Sequence, residues 1–487
     1  MSTTTQEAPA QNKPTPKKPG SANWWYQALR RIHFYAGIFI GPFIFIAALT
    51  GMLYAVAPTA EKMIYSHELS VAQSDTGMSL TDQIHAANEH VGQKAEPVAV
   101  RPAPAPGDTT RVLYADENLP QGEFRTIFVN PGNGEILGDM ETYGSSGAMP
   151  LRAFLSHLHS GAIAGDFGRY YSELAACWMW IIALAGIGMA FYGITKKLKK
   201  TEVLKPDFKK KGYFRTLSLH RAAGIWIALF LLFFSATGIT WSQLGGENVA
   251  TLRQAMNWQT PTPSAELTPA ETSSDSHADH ADHADHSSGH GAHTSGAEMP
   301  SDKTSDTFEH VLDIARTNQL IDNGMVEIKV PKKEGMAWSV REIRAAWPTQ
   351  VDSVTVDPAS HKIVDTVDFK KDYSVAAKLT RWGIDFHMGI LFGVVNQLIL
   401  VIFAALLMLI VFWGYKMWWQ RRPRREAGAA FGALPPRGAW KKLRLWEKLL
   451  AVICALGLGI FLPLLGISLL IFVVIDIALG LRKQKSS

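Results

Sequence analysis

The sequence predicts an α-helical integral membrane protein with about six spans and two α+β domains outside the membrane. Apolar stretches long enough to cross a hydrocarbon layer of roughly 30 Å recur along the 487 residues. Polar segments of domain length separate the first stretch from the second and the third from the fourth. This unit of span, polar segment and returning span occurs twice with matched spacing, which indicates an internal duplication.

The predicted segments alternate between apolar spans and polar regions. The polar tail before the first span is predicted to be disordered. The apolar tract near the end of the chain has Pro463 in its middle and is too long for one crossing, so we interpret it as two short helices. The segments are the tail 1–22, TM1 24–57, outer domain 58–156, TM2 with its lead-in 157–195, loop 196–213, TM3 214–242, outer domain 243–384, TM4 385–415, loop 416–445 and a TM5–TM6 hairpin 446–481.

Lysines and arginines fix the predicted orientation. They cluster in the tail, in the loops after TM2 and TM4, and after the hairpin. By the positive-inside rule these segments are cytoplasmic, so both termini lie inside and both domains lie outside. The net charge of +5 hides this asymmetry. Topology and anionic membrane lipid explain the basic runs, so no nucleic-acid partner is expected.

Each outer domain has the pattern of a helix followed by short strands. Helical periodicity occurs at 80–91 and at 307–318. The turns Val129-Asn-Pro and Val356-Asp-Pro occupy matching places in the two domains, which supports the duplication. The strands are predicted near 110–114, 126–129, 135–137, 325–330, 337–343, 353–356 and 362–365.

Four histidines occupy matched places in the repeat. His33 and His220 lie near the basic starts of TM1 and TM3, and each is followed by a glycine 4 residues later and by a Thr-Gly pair that begins 17 residues later. His159 and His387 precede TM2 and TM4, and each is followed by glycines 2 and 6 residues later. An ionisable side chain in or beside a span is costly, so these residues are functional candidates.

Each level of the predicted bundle offers two imidazoles from two different helices. This is the ligand set of a six-coordinate haem iron, and the glycines would let a flat macrocycle approach the backbone closely. Haems near the two faces would carry electrons across the membrane. The alternative is that the histidines form interhelical hydrogen bonds. Arg30, Arg31 and Arg221 beside the inner histidines either orient the spans or pair with haem propionates.

The remaining histidines are interpreted separately. His157 has no counterpart in the second repeat and is not expected to be an axial ligand. A His/Asp-rich tract inside the second domain is predicted to bind a divalent metal, with a solvated linker as the alternative. The tract contains His277, His280, His283, His286, His290 and His293. Ordinary surface positions are expected for His67, His85, His90, His310 and His361.

With the repeated His-x-x-x-Gly spans and the segments VNPGNGEIL and VDPASHKIV, the chain resembles the PepSY-associated transmembrane-helix family over about residues 24–420. That family includes bacterial inner-membrane, haem-containing ferrisiderophore reductases and related iron-uptake proteins. The resemblance implies two haem b groups in a four-helix core, one on His33 with His220 and one on His159 with His387. It also implies PepSY-type domains in the periplasm and reduction of a metal complex there.

The substrate and the electron donor stay open at this stage. The His/Asp tract departs from the family pattern, so the substrate is either a ferric siderophore or another ferric or cupric complex. The loops carry no nucleotide or flavin motif, so electrons are expected from another protein or from the quinol pool.

Two other functions compete with a metal reductase. One is a non-enzymatic metal-binding or regulatory protein, whose outer domains bind a partner while the tract collects metal. The other is a transporter, which is disfavoured because the spans lack intramembrane carboxylates apart from Asp476.

Overall fold

A computed structural model describes residues 24–73, 77–92, 95–196, 198–267, 305–321, 324–421, 440 and 443–485. The predicted tail 1–22 and the His/Asp tract at 277–293 lie outside the described residues. The described chain forms a helical bundle and one antiparallel sheet. The helices are α1 Trp24–Phe39, α2 Gly41–Ile64, α3 Ser66–Leu69, α4 Leu80–Val91, α5 Pro150–Ser160, α6 Gly165–Thr195, α7 Lys200–Leu204, α8 Gly212–Thr240, α9 Gln243–Ala255, α10 Ser305–Thr317, α11 Val375–His387, α12 Gly393–Gln420, α13 Leu445–Phe461 and α14 Pro463–Lys485.

Four described helices are long and apolar enough to cross a membrane. They are Gly41–Ile64, Ala162–Thr195, Gly212–Thr240 and Gly393–Gln420, and they correspond to the first four predicted spans. The predicted TM5–TM6 hairpin corresponds to α13 and α14, whose apolar stretches are shorter. The number of six spans therefore stays a prediction.

The first span is broken, whereas the sequence predicts one span at 24–57. The break falls at Ile40 between α1 and α2, and Pro42 is the second residue of α2. Proline has no N–H, so the carbonyl of Ile38 loses its helical partner. The hydroxyl of Tyr415 on α12 donates to that carbonyl at 2.6 Å. The carbonyl of Ile38 thus finds its hydrogen-bond donor on a different span. This hydrogen bond also links α12 to the first span.

The two predicted outer domains join in a single sheet of eight strands. The strands are β1 Pro97–Arg101, β2 Thr110–Tyr114, β3 Glu123–Val129, β4 Ile136–Tyr143, β5 Val326–Lys329, β6 Trp338–Glu342, β7 Ser353–Asp357 and β8 Lys362–Val367. Their order is β4-β3-β2-β1-β5-β6-β7-β8. The halves meet where β1 pairs antiparallel with β5, with Ala99 opposite Lys329 and Val100 opposite Ile328. Helices α4 and α10 share one hydrophobic core with both halves.

Buried charges fasten the junction between the two halves of the sheet. Glu327 on β5 is 2% exposed and accepts a hydrogen bond from Nε of Arg101 on β1 at 2.7 Å. Lys329 and Arg341 also lie near this carboxylate, at 3.2 and 3.1 Å. Burial alone would raise the pKa of Glu327, but the three cations outweigh burial and hold its pKa well below the usual value. The carboxylate is therefore ionised in the folded protein.

A short helix and a glycine turn lead from the sheet into each returning span. His159 is the penultimate residue of α5, and His387 is the last residue of α11. The glycines after them have positive φ, with Gly161 at 82° and Gly165 at 59° in the first turn. Gly389 at 76° and Gly393 at 55° repeat this conformation. These matched glycines serve the turns, whereas their places in the sequence predict a role in the close approach of a macrocycle.

Candidate functional site

Histidines from the two halves of the bundle meet near the end that carries the lysine-rich loop between α6 and α8, which we call the basic side. His33 on α1 and His220 on α8 have ring centroids 6.0 Å apart and ring planes at 88°. Nδ1 of His33 lies 2.9 Å from the carbonyl oxygen of Ile182 on α6. Nδ1 of His220 lies 3.0 Å from the carbonyl oxygen of Ile410 on α12. We call these two histidines the basic-side pair.

The other two histidines meet at the end of the bundle that faces the sheet. His159 and His387 have ring centroids 6.3 Å apart and ring planes at 63°. Thr50 Oγ1 lies 3.0 Å from Nδ1 of His159, and Thr237 Oγ1 lies 2.6 Å from Nδ1 of His387. We call these two histidines the sheet-side pair.

The hydrogen bonds at Nδ1 define the tautomer of each ring. A carbonyl oxygen only accepts, so Nδ1 of His33 and of His220 must carry the proton and donate it. Thr50 donates its hydroxyl hydrogen to the carbonyl of Ile46 at 2.9 Å, so it accepts from His159. Thr237 donates to Phe233 in the same way, at 3.0 Å. A neutral imidazole with Nδ1–H has its lone pair on Nε2, which is the form that binds a metal.

The separation of the rings fits two ligands on opposite sides of one metal ion. A metal–imidazole nitrogen bond is about 2 Å long, so two trans imidazoles bound through Nε2 have ring centroids roughly 6 Å apart. Both pairs, at 6.0 and 6.3 Å, have this separation. Interhelical hydrogen bonding accounts for the Nδ1 contacts, and the rings of each pair additionally meet edge to face.

The two pairs lie near opposite ends of the continuous helix α8. His220 belongs to one pair, and Thr237 supports the other. The 17 residues between them span about 25 Å of helix. An aromatic cluster occupies part of this distance, with Phe234 4.9 Å from the ring of His387 and 4.7 Å from Phe403. The pairs are therefore separated by most of the thickness of a bilayer.

The glycines of the Thr-Gly and His-x-x-x-Gly motifs differ in their surroundings. A Cβ on Gly51 would lie 2.9 Å from Cε1 of His159, so this glycine makes room for the imidazole itself. A Cβ on Gly37 or Gly224, one turn after the basic-side histidines, would meet no atom within 4 Å. The described residues thus leave open space beside Gly37 and Gly224, one turn after each histidine of the basic-side pair.

The residues beside the basic-side pair have protein partners. Arg31 lies 2.6 Å from Asp476, so this pair ties α14 to α1. Arg221 donates to the carbonyl of Glu202. The alternative that Arg31 and Arg221 bind propionates therefore competes with contacts inside the protein.

His157 does not join the sheet-side pair. His157 hydrogen-bonds to Glu123 at 3.0 Å, although it lies only two residues from His159. Nowhere in the described ranges do three His, Cys, Asp or Glu side chains form a metal-binding group. The tract residues His277, His280, His283, His286, His290 and His293 lie outside these ranges.

Sequence reasoning missed the groups that orient the four rings. The Thr-Gly repeats contain Thr50 and Thr237, but the spacing did not show that they would contact the histidines of the next helix. The carbonyls of Ile182 and Ile410 give no signal in a sequence, because every residue has a carbonyl.

Long apolar helices with paired histidines and an attached sheet define a multi-span helical membrane protein. The family model described as PepSY-associated TM region matches residues 30–421, and the chain belongs to this family. The family resemblance seen in the sequence is thereby confirmed. No curated protein matches the chain.

Proposed function

We propose that the protein carries electrons across a bacterial cytoplasmic membrane and reduces a ferric or cupric complex on the periplasmic side. Two haem b groups would be held by the basic-side pair and the sheet-side pair. When bound, such groups supply reversible one-electron transfer between iron(III) and iron(II). The tails and loops on the basic side would be cytoplasmic, and the sheet would be periplasmic.

One observation carries this proposal: imidazoles from the two halves meet twice, and each pair would hold the iron of one haem between its rings. The centroid distances of 6.0 and 6.3 Å leave room for one metal ion between each pair of rings. The open space at Gly37 and Gly224 supports a flat group at the basic side. Four histidines placed only as hydrogen-bond partners would not need to pair across the repeat.

The protein groups around the rings have defined roles in this proposal. The carbonyls of Ile182 and Ile410 fix the basic-side rings, and the hydroxyls of Thr50 and Thr237 fix the sheet-side rings. Each keeps the proton on Nδ1 and makes the imidazole a better electron donor to a metal at Nε2. Phe234 and Trp241 pack on His387 at 4.9 and 5.1 Å and hold water away from that ring.

In this proposal, the electron donor acts at one end of the bundle and the metal substrate at the other. Electrons would enter at the basic-side pair from a quinol or from another protein. They would leave at the sheet-side pair, which α5 and α11 connect directly to the sheet. The substrate would be a ferric siderophore or another ferric or cupric complex in the periplasm, and the product would be a less tightly held metal ion for uptake.

The test is a dithionite-reduced minus oxidised absorption spectrum of the full-length protein purified in detergent. We expect the bands of low-spin haem b and two haems per chain. The His33→Ala/His220→Ala double variant and the His159→Ala/His387→Ala double variant should each lose about half of the signal, because each removes both ligands of one group. The combined quadruple variant should be colourless.

Reduction of ferric citrate or a cupric salt is measured on the same preparations with a quinol added as the electron donor. Loss of reduction in either double variant, with the protein still folded, supports the proposal. A colourless wild-type protein overturns it. If that colourless protein still binds metal or a partner protein, the non-enzymatic metal-binding or regulatory function replaces it.

A further inference from the structure

Two histidines far from both pairs in sequence lie in direct contact on the second half of the sheet. His310 is on α10, and His361 is in the turn between β7 and β8. Their ring centroids are 4.5 Å apart, with ring planes at 81°. His310 is half-buried and His361 is exposed, so the contact is open to solvent.

The rings of His310 and His361 lie closer together than the rings of the other two pairs. With a metal–nitrogen bond of about 2 Å, a ring centroid lies about 3 Å from the ion. Trans ligands then have centroids roughly 6 Å apart, and ligands at an angle between 90° and the tetrahedral value have centroids about 4.5 to 5 Å apart. The 4.5 Å separation of His310 and His361 fits two neighbouring ligands of one ion.

The backbone holds His361 in a conformation that side chains rarely adopt. Its φ is 56°, and Gly134 takes the same place in the matching turn of the first half, with φ 73°. A residue with a Cβ costs roughly 1–2 kcal/mol in this conformation. Asp357 stabilises the turn by accepting from Ala359 N–H at 3.0 Å and from Ser360 Oγ at 2.6 Å. The histidine is thus less stable in this conformation than a glycine would be. Its imidazole contacts His310 on α10.

The first half shows that the fold does not need this contact. Buried residues of the two helices correspond at a spacing of 228, as Leu80 does with Phe308 and Ile84 with Leu312. By this spacing the counterpart of His310 is Asp82, whose carboxylate accepts from Ser79 at the start of α4. A histidine at each of the two places is therefore a property of the second half alone.

We propose that His310 and His361 form a site for a divalent transition-metal ion, with Cu²⁺ as the preferred ion. Imidazole suits Cu²⁺, Zn²⁺ and Ni²⁺, and Cu²⁺ binds most tightly in the general affinity order. Ferric iron prefers oxygen ligands, so the site discriminates against it. Among the described residues no third His, Cys, Asp or Glu completes a metal group here. The remaining ligands of the ion would be water molecules. The site functions in metal capture and does not depend on the two haem-type pairs.

The experiment uses the full-length protein in detergent with the six tract histidines changed to serine. Copper(II) sulfate is added in steps, and electron paramagnetic resonance reports the nitrogen ligands of the bound ion. We expect one tight equivalent with two imidazole nitrogens. His310→Gln and His361→Gly should each weaken it at least about tenfold, since even loss of a group that supports a metal ligand costs that much. His361→Gly suits the turn because glycine is native at the matching place.

The control is His85→Gln, which removes an exposed histidine of α4 and should leave copper binding unchanged. A signal with a single nitrogen, or copper binding that survives both His310→Gln and His361→Gly, overturns the proposal. The absorption spectrum of the same samples separates this result from the proposed electron transfer. Normal absorption with no copper site refutes only the copper site, whereas a copper site in a colourless protein refutes only the haem proposal.

Discussion

Thr237 Oγ1 lies 2.6 Å from Nδ1 of His387, and it donates its own hydrogen to the carbonyl of Phe233. The hydroxyl is therefore an acceptor for Nδ1–H and fixes the ring. Replacing Thr237 by valine keeps the shape and removes this acceptor. Such supporting partners are worth about 10–100-fold in metal affinity. Under the proposed function, Thr237→Val should therefore lose most of the haem signal assigned to the sheet-side pair. The reduced-minus-oxidised spectrum measures this loss.

Two variants control for the threonine result. Thr237→Ser retains a hydroxyl and should keep the full signal. Thr50→Val, which removes the acceptor at 3.0 Å from His159, should behave like Thr237→Val. The basic-side signal should persist in all three variants. A valine variant with a wild-type spectrum would show that the threonine only packs against the ring.

The sequence alone was enough to predict those helices and strands whose local residue pattern matches the observed structure. The helix at 80–91 was predicted with its observed bounds, because Ser79 caps it and its apolar residues recur at helical spacing. Strand β2 at Thr110–Tyr114 was also predicted as observed. Strand β1 was missed. It lies in the middle of the sheet and four of its five residues are buried, so it has no clean alternation of apolar and polar residues.

The candidate site shows a similar division. Matched spacing was enough to group His33 with His220 and His159 with His387, and the structure brings these rings together. Their orientation depends on hydrogen bonds to backbone carbonyls and to distant threonines, which spacing does not encode. The contact of His310 with His361 was also missed, because it joins a helix to a turn 51 residues later and has no counterpart in the first half.

Gly51 is the glycine whose substitution should act most directly on a candidate ligand. A Cβ there would lie 2.9 Å from Cε1 of His159, which is closer than real contacts allow. We expect Gly51→Ala to displace the ring. Under the proposed function this removes the haem signal assigned to the sheet-side pair and leaves about half of the total absorbance. Absorption spectra and haem content per chain measure this effect.

Gly238 supplies a matched control, because it occupies the same Thr-Gly position in the second half. A Cβ on Gly238 would lie 3.4 Å from Cβ of Ala176 and would not reach a histidine. We expect Gly238→Ala to retain more of the signal than Gly51→Ala. The reverse order would mean that the space around His159 does not limit the site.

Glu327 should contribute to stability through its buried contacts with Arg101, Lys329 and Arg341. Glu327→Gln leaves these cations without their carboxylate, and breaking a buried pair costs about 3–5 kcal/mol. We expect a lower unfolding temperature of the sheet. Circular dichroism during heating measures this change. Lys371→Gln, which removes an exposed partner of Asp368, is the control and should leave the unfolding temperature unchanged.

The carboxylate of Glu327 should also make the stability of the folded protein depend on pH. The pKa of Glu327 in the folded protein is held well below its ordinary value of 4.5, because its cations outweigh the effect of burial. The unfolded chain therefore takes up the proton first as the pH falls. The contribution of Glu327 is complete above about pH 4.5 and decreases below it. Glu327→Gln should lose stability less steeply than wild type on acidification, and equal slopes would contradict this assignment.

The pairing of β1 with β5 makes the outer part of the molecule one sheet, and a cross-link tests it. Ala99 lies opposite Lys329, and residues opposite each other on antiparallel strands have Cα atoms about 4.5–5.5 Å apart, within the range of a disulfide. With Cys177 and Cys454 replaced by alanine, we expect Ala99→Cys/Lys329→Cys to form a disulfide on mild oxidation. A protease site inserted after residue 267 then yields two fragments that separate only under reducing conditions. Ala99→Cys with Thr355→Cys, two strands further away, should not cross-link, because each strand adds about 4.8 Å. Separation of the Ala99→Cys/Lys329→Cys fragments without a reductant would mean that β1 and β5 do not pair and that the two halves form separate sheets.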